Sequence, residues 1–208
     1  MLDNVRADLN RARHLNGLAP NWFNVWVKTP LHVGVLAVLT YRLASWARRV
    51  RIPILRHVLL ILMVIVRRVM GIVSGVEISP RAEIGPGLVV HTPYGVFIGD
   101  TRIGRNCLVQ HGVVISQGVR SIGDNVYFGP GAKVIGRAAI GNNVRVVANS
   151  VVMTDVGDNL TVVGVPARIR WRNRASLAAS AASAVAVASV LRFRDGGAAD
   201  LISSLPLL

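Results

Sequence analysis

An apolar side chain returns at every sixth residue through the middle of this chain. From Ile122 onward the series runs Ile122, Phe128, Val134, Ile140, Val146 and Val152. The fourth residue after each of these is small or aliphatic, as at Val126, Ala132, Ala138, Val144 and Ser150. A period of six fits neither the α-helix, which repeats about every 3.6 residues, nor a long strand of period two. It predicts a solenoid whose coil is a triangle with one six-residue segment on each side.

The same phase extends toward the N-terminus with two interruptions. The earlier members of the series are Ile115, Val109, Ile103, Val96, Val90, Ile84 and Ile78. Slips of one residue follow Val96 and Ile115, and at each of them we expect a corner of the triangle to bulge. The pattern therefore predicts a mainly β protein with a parallel β-helix over residues 76–165.

Two apolar segments precede the repeats and predict an α-helical N-terminal domain over residues 1–75. They are LHVGVLAVLTYRLASWARRV and ILRHVLLILMVIVRRVM, with Pro53 between them. The longest uncharged part of the second segment is about half of the roughly 20 residues that span a bilayer, so a transmembrane helix is not expected. Residues 166–208 predict a basic, Ala-rich C-terminal tail or helix.

The apolar segments leave two alternatives open. In one, they form a domain that packs against itself or against a neighbouring subunit. In the other, they lie in the membrane interface as a pair of helices whose arginines face lipid phosphates. The arginines concerned are Arg42, Arg48, Arg49, Arg51, Arg67 and Arg68.

The charge of the chain narrows its partners. The 208 residues carry 24 Lys and Arg but only 10 Asp and Glu, for a formal charge of +14. Such an excess is typical of proteins that bind nucleic acid, anionic membrane or phosphorylated ligands. We do not expect nucleic acid, because the sequence contains no recognised binding motif. Without a signal peptide, the chain is expected in the cytoplasm, possibly peripheral at the inner face of the membrane.

Five segments resemble the serine acetyltransferase branch of the hexapeptide-repeat acyltransferases. They are VEISPRAEIGPGLVVH, GVFIGDTRIGRN, GPGAKVIG, GNNVRVVANSVV and GVPARI, in the family's order. The resemblance implies a left-handed parallel β-helix and acyl transfer from acetyl-CoA to a hydroxyl group. It also implies homotrimers, with active sites between adjacent prisms, that possibly pair into a dimer of trimers.

The resemblance suggests three catalytic candidates. A histidine can take the proton of the acceptor hydroxyl near neutral pH, and His91 and His111 lie in the appropriate coils. They are 20 residues apart, which is close to one 18-residue coil plus a bulge, so we expect them near each other. Glu77 stands where members of the family hold the acceptor's amino group with an acid.

The chain also departs from the family pattern. Counted without gaps, His91 falls on the family's aspartate and Thr92 on its histidine, and the glycine-rich loop with a second histidine is absent. These losses remove contacts to a zwitterionic amino acid, so we expect a sugar hydroxyl of a polysaccharide or glycolipid precursor as the acceptor. The alternatives are serine O-acetyltransferase and a catalytically degenerate scaffold protein.

For acetyl-CoA, the resemblance points to the groove between two prisms. Backbone there would take the pantetheine and cations would take the phosphates. The candidates are Gly129, Gly131, Ala132, Lys133, Arg145, Ala148, Arg168 and Arg170. No metal is expected, because the two histidines have no third ligand near them.

Overall fold

The computed structural model describes residues 2–17, 21, 26, 29 and 32–172. Three α-helices come first: α1 is Leu2–Leu15, α2 is Val33–Ala47 and α3 is Pro53–Ser74. The predicted Ala-rich tail beyond residue 172 lies outside the described residues.

Short strands follow the helices in a regular series. They are β1 Val76–Ile78, β2 Glu83–Ile84, β3 Val89–Val90, β4 Val96–Ile98, β5 Arg102–Ile103, β6 Leu108–Val109, β7 Val114–Ile115, β8 Ser121–Ile122, β9 Tyr127–Phe128, β10 Lys133–Val134, β11 Ala139–Ile140, β12 Arg145–Val146, β13 Val151–Val152, β14 Leu160–Val163 and β15 Arg168–Arg172.

Every third strand joins the same sheet, which makes a three-sided coil. Face A contains β1, β4, β7, β10 and β13; face B contains β2, β5, β8 and β11; face C contains β3, β6, β9, β12, β14 and β15. All pairings along β1 to β14 are parallel. The predicted parallel β-solenoid behind a helical N-terminal region is confirmed.

The six-residue series forms the columns of the core. On face C the inward residues are Val90, Val109, Phe128, Val146 and Val162, and all are buried. Each face adds one such aliphatic stack, because neighbouring coils place equivalent side chains above one another. The low aromatic content of the chain suits this narrow interior.

One predicted slip is misplaced. The strands pair Ile78 with Ile98 and Ile98 with Ile115, so Ile98 rather than Val96 continues the inward column of face A. Val96 is also buried, at 2% exposure against 0% for Ile98, which explains why the sequence pattern allowed either. The extra residues therefore lie before Val96, in the corner 91–95, and the turn after Ile98 is short. The slip after Ile115 is present as expected.

A buried ion pair fastens the helices to the first coil. Arg42 Nε donates to Asp8 Oδ2 at 2.9 Å, and its two terminal nitrogens each donate at 2.6 Å to the carbonyls of Ile84 and Gly85. Asp8 Oδ1 accepts the amides of Gly87 at 2.7 Å and Leu88 at 3.0 Å. The expectation that Arg42 faces lipid is therefore wrong: it is 5% exposed and holds α1, α2 and the prism together.

Helix α3 is longer and more exposed than the sequence pattern indicated. It continues through Arg67 and Arg68 to Ser74 and ends at Gly75, whose φ of 61° caps the helix. Residues Ile54–Ser74 have a mean hydropathy of 2.0, so by length and composition alone the helix could cross a membrane. The expectation that it is too short is wrong, because a helix counts its whole length and not only its uncharged stretch.

The start of the predicted tail is part of the prism. Strand β15 turns back and pairs antiparallel with β14, with Val163 opposite Arg168 and Leu160 opposite Arg172. This corrects the expectation that residues 166–172 leave the β-helix. The last parallel strand would otherwise present unpaired backbone N–H and C=O groups, and β15 satisfies them.

Candidate active site

The corner between faces C and A carries both candidate histidines. In the first complete coil this corner is His91–Gly95, and it holds the extra residues of the misplaced slip. Tyr94 has a φ of 98°, in a region that side chains other than glycine rarely occupy. It is also largely exposed. A strained, exposed aromatic residue at a corner is typical of a functional site.

His111 is held by a threonine of the neighbouring coil. Thr92 Oγ1 lies 3.1 Å from His111 Nδ1 and accepts the His111 backbone N–H at 3.2 Å. The Thr92 hydroxyl also donates to Gln110 Oε1 at 2.9 Å. The ring of His111 is therefore oriented by three hydrogen bonds while its side chain remains exposed.

The two histidines are not directly opposite each other. Val89 pairs with Leu108 and Val90 with Val109, so one coil at this level spans 19 residues. This register places His91 beside Gln110 and His111 beside Thr92. The expected His91–His111 pair is therefore replaced by a Thr92–His111 pair, because the bulge lies in the corner itself. Sequence reasoning missed Thr92 and Gln110 for the same reason.

Glu77 borders a cleft of ≈ 660 Å³ between the helices and the first coil. Arg67 and Arg68 of α3 line the same cleft, and so do Gly95 and Phe97 of the second coil. Arg67 donates to the Ile78 carbonyl at 3.1 Å. Burial lowers the pKa of Arg67, and the negative charge of Glu77 acts against that shift. The cleft thus combines one carboxylate with two guanidinium groups.

This cleft reaches the histidine corner through two glycines. A Cβ placed on Gly95 would lie 3.6 Å from Gly112 Cα, and Gly112 is bonded to His111 in the chain. The Gly112 amide donates to the Tyr94 carbonyl at 2.9 Å. Residues at this passage have no room to be larger without narrowing it.

The acetyl-CoA candidates divide into surface and interior residues. Gly131 continues the histidine corner one coil further on, and its amide donates to the His111 carbonyl at 2.9 Å. Ala148 lies exposed in the next coil, and so do the cations Lys133, Arg145, Arg168 and Arg170. Ala132 is a correction, because it is 0% exposed and its methyl group fills the prism. Gly129 is buried as well, since a Cβ there would lie 2.6 Å from the Ala148 amide.

Arg120, on the corner between faces A and B, is engaged elsewhere. Its guanidinium is hydrogen-bonded to Asp155 and donates to the Arg137 carbonyl at 2.8 Å. The hydrogen bond with Asp155 raises the pKa of Arg120 and lowers that of Asp155. Among the described residues, no three His, Cys, Asp or Glu side chains are grouped to hold a metal ion.

Comparison with known proteins identifies relatives of this chain. Residues 121–153 match the family model described as bacterial transferase hexapeptide (six repeats). A serine acetyltransferase of Synechococcus elongatus is 37% identical over 148 residues, which cover 67% of this chain and 58% of that protein. One of Helicobacter pylori is 34% identical over 159 residues, covering 73% of this chain and 89% of that protein.

The fold agrees with these relatives. The structure of Neisseria gonorrhoeae serine acetyltransferase in complex with serine superposes with a TM-score of 0.64 at 30% identity, over 80% of this chain and 67% of that one. The resemblance drawn from the five sequence segments is therefore confirmed. With a third of its residues identical over nearly the whole H. pylori enzyme, and with the same helix-and-prism architecture, the chain belongs to the serine acetyltransferase family.

Proposed function

We propose that this chain is an acetyl-CoA-dependent O-acetyltransferase whose acceptor is L-serine and whose general base is His111. The observation that carries the proposal is the contact between Thr92 Oγ1 and His111 Nδ1. The sugar acceptor expected from the missing loop finds no support in the relatives, which are serine acetyltransferases. The serine alternative fits them better and replaces it.

The hydrogen bonds at Thr92 select one tautomer of His111. The single hydroxyl proton of Thr92 goes to Gln110 Oε1, which can only accept. Thr92 Oγ1 must then accept a proton from His111 Nδ1, which places the ring proton on that nitrogen. Nε2 is left with a free lone pair, so it is the atom that can act as a base.

The cleft beside this corner suits a zwitterionic acceptor. The Glu77 carboxylate can take the ammonium group of serine, and Arg67 or Arg68 can take its carboxylate. These two arginines supply the charge that the family's missing loop would otherwise provide. Serine held in this way would direct its hydroxyl toward the corner at Gly95 and Gly112.

The donor would follow the same corner along the prism. Acetyl-CoA supplies the acetyl thioester, and its pantetheine would pass Gly131 and Ala148. The phosphates would meet the cations Lys133, Arg145, Arg168 and Arg170 on the flanking faces. Arg145 is already positioned, because its guanidinium lies 4.5 Å from the centre of the Tyr127 ring. The buried Ala132 has no part in this contact.

The transfer then needs one proton relay. His111 Nε2 takes the hydroxyl proton as the serine oxygen attacks the thioester carbonyl carbon. The tetrahedral intermediate collapses, the C–S bond breaks, and the proton passes to the CoA thiolate. The products are O-acetylserine and CoA, and His111 returns to its starting state.

The test of the base measures CoA release from acetyl-CoA and L-serine by the purified full chain. We expect His111→Ala to lower kcat by roughly 10²–10⁴-fold. Thr92→Val should lower it by about tenfold or more and shift the pH profile, whereas Thr92→Ser should restore most of the activity. His91→Ala tests the other candidate, and His14→Ala on helix α1 is the control. A loss confined to His91→Ala would refute the assignment.

The test of the acceptor compares kcat/KM for L-serine with that for sugar acceptors. A value for serine of about 10⁴ M⁻¹s⁻¹ or more is expected. Glu77→Gln should raise the KM for serine about 10- to 100-fold, since it removes a charge-assisted contact. Glu83→Gln, an exposed acid on face B, is the matched control. Faster turnover of a sugar would restore the first expectation, and no turnover with any acceptor would favour a scaffold protein.

A further inference from the structure

Helix α3 carries an apolar stripe that nothing in the described part of the chain covers. The stripe consists of Ile54, Val58, Ile61, Ile65, Val69 and Ile72, which are 53–86% exposed. Their spacing of four, three, four, four and three residues places them on one side of the helix. Because a helix rises about 1.5 Å per residue, the stripe is roughly 27 Å long. Exposed apolar surface of this extent marks an interaction site.

The charges around the stripe identify the chemistry of the partner. Between Asp8 and Glu77 the sequence contains ten Lys and Arg and not one Asp or Glu. Arg48, Arg49 and Arg51 are exposed in the turn that leads into α3. Trp46 stands half-exposed beside them, and Trp with Arg is typical of the water–lipid boundary. An apolar stripe bordered only by positive charge is complementary to an anionic bilayer surface.

We propose that the α3 apolar stripe docks this protein on anionic membrane, with Arg48, Arg49 and Arg51 on the lipid phosphates. The stripe lies in the boundary between headgroups and acyl chains, and the arginines at the start of α3 contact the headgroup layer.

A second copy of the chain is the less suitable occupant. Two α3 stripes face to face would bring two acid-free, arginine-rich surfaces together, and like charges disfavour such a contact. The stripe also docks on the bilayer rather than crossing it. The opposite side of α3 packs against α2, whose Tyr41 and Arg42 are bonded to the backbone of the first coil. A crossing helix would carry that buried polar network into the hydrocarbon region, where such groups are costly.

The experiment is flotation of the purified full chain with phosphatidylcholine vesicles, with and without phosphatidylglycerol. Binding is expected only with phosphatidylglycerol, and it should weaken at least tenfold between about 0.1 M and 1 M NaCl, because salt screens the attraction. The double variant Ile61→Gln/Ile65→Gln should reduce binding by about tenfold or more, since it removes apolar area from the stripe. Arg48→Gln/Arg49→Gln should remove the preference for phosphatidylglycerol.

The matched control is Met153→Gln/Ile169→Gln, which changes two similarly exposed side chains of the prism. Circular dichroism of each variant reports whether it folds. Equal binding of the stripe variant and the control overturns the proposal, and so does binding that ignores lipid charge. No vesicle binding by the full chain also overturns it. If mass photometry then shows a larger assembly that Ile61→Gln/Ile65→Gln dissociates, the stripe is an interface between copies. This docking is independent of the acetyltransferase assay, since neither set of variants touches the proposed active site.

Discussion

Replacing Asp8 by Asn should destabilise this protein strongly, because it leaves the charge of Arg42 buried without a partner. The carboxylate accepts both bonds from Arg42, at 2.9 and 3.2 Å, and two backbone amides. The side chains of Arg42 and Asp8 are only 6% and 2% exposed. Water therefore cannot take over the lost interaction. The change keeps the shape of the side chain but removes its charge.

The magnitude follows from the cost of an unpaired buried charge. Breaking a buried pair by removing one partner typically costs about 3–5 kcal/mol. For a chain of this length, that corresponds to a fall in Tm of roughly 6–20 °C. Burial raises the pKa of Asp8, and the hydrogen bonds from Arg42, Gly87 and Leu88 oppose that shift. The penalty for burying the carboxylate is thus large, so we expect the apolar pair Asp8→Leu/Arg42→Met to be much less destabilised than Asp8→Asn.

The measurement is thermal and urea unfolding at a fixed protein concentration, with the double variant completing a cycle. Limited proteolysis of α1 provides a second readout, since Asp8 ties that helix to Gly87 and Leu88. Asp3→Asn, an exposed acid in the first turn of the same helix, is the control and should cost no more than about 1 kcal/mol. A loss below about 1 kcal/mol for Asp8→Asn would refute the argument, because that is the cost of an exposed pair.

Three further outcomes are expected. Gly34→Ala should destabilise the protein by about 1–3 kcal/mol, since its Cβ would lie 2.1 Å from the Val90 carbonyl oxygen; Gly71→Ala, with nothing within 4 Å, should stabilise α3 by about 0.5–1 kcal/mol, and equal effects in unfolding experiments would contradict both. Cys107 should stay unmodified by a thiol reagent in the native protein at pH 8, because burial raises the pKa of its thiol to about 11; its rate of modification should rise as the pH approaches that value, and rapid labelling at pH 8 would be inconsistent with a buried thiol. Mass photometry at micromolar concentration should show a homotrimer or a pair of trimers, whereas a monomer alone would leave the corner between faces C and A without its neighbouring prism.

Much of the fold is determined locally and could be predicted from the sequence. An inward side chain at every sixth residue forces a triangular coil, so the columns through Val90, Val109 and Phe128 follow from the pattern alone. The same periodicity identified the candidate histidines as corner residues, because they fall just after the strands of face C. The five segments shared with serine acetyltransferases were sufficient to identify the family.

The site itself depended on one register that the pattern could not determine. Val96 and Ile98 are both apolar and both buried, so either can continue the inward column of face A. Only the strand pairing of Ile98 with Ile78 and Ile115 places the extra residues at 91–95. That shift of position replaces a His91–His111 pair with Thr92 and His111, and it changes which groups orient the base.

The charged residues of the helices needed the tertiary structure for another reason. The sequence around Arg42 is the same kind of apolar, basic segment as that around Arg67, and local pattern predicts lipid or solvent for both. Arg42 instead meets Asp8, 34 residues earlier, and two carbonyls of the first coil, while α3 keeps its apolar stripe exposed. Periodicity reports which side of an element is apolar, because that is a local property of the chain. What covers that side, and which distant charge neutralises a buried one, is decided only when the elements pack together.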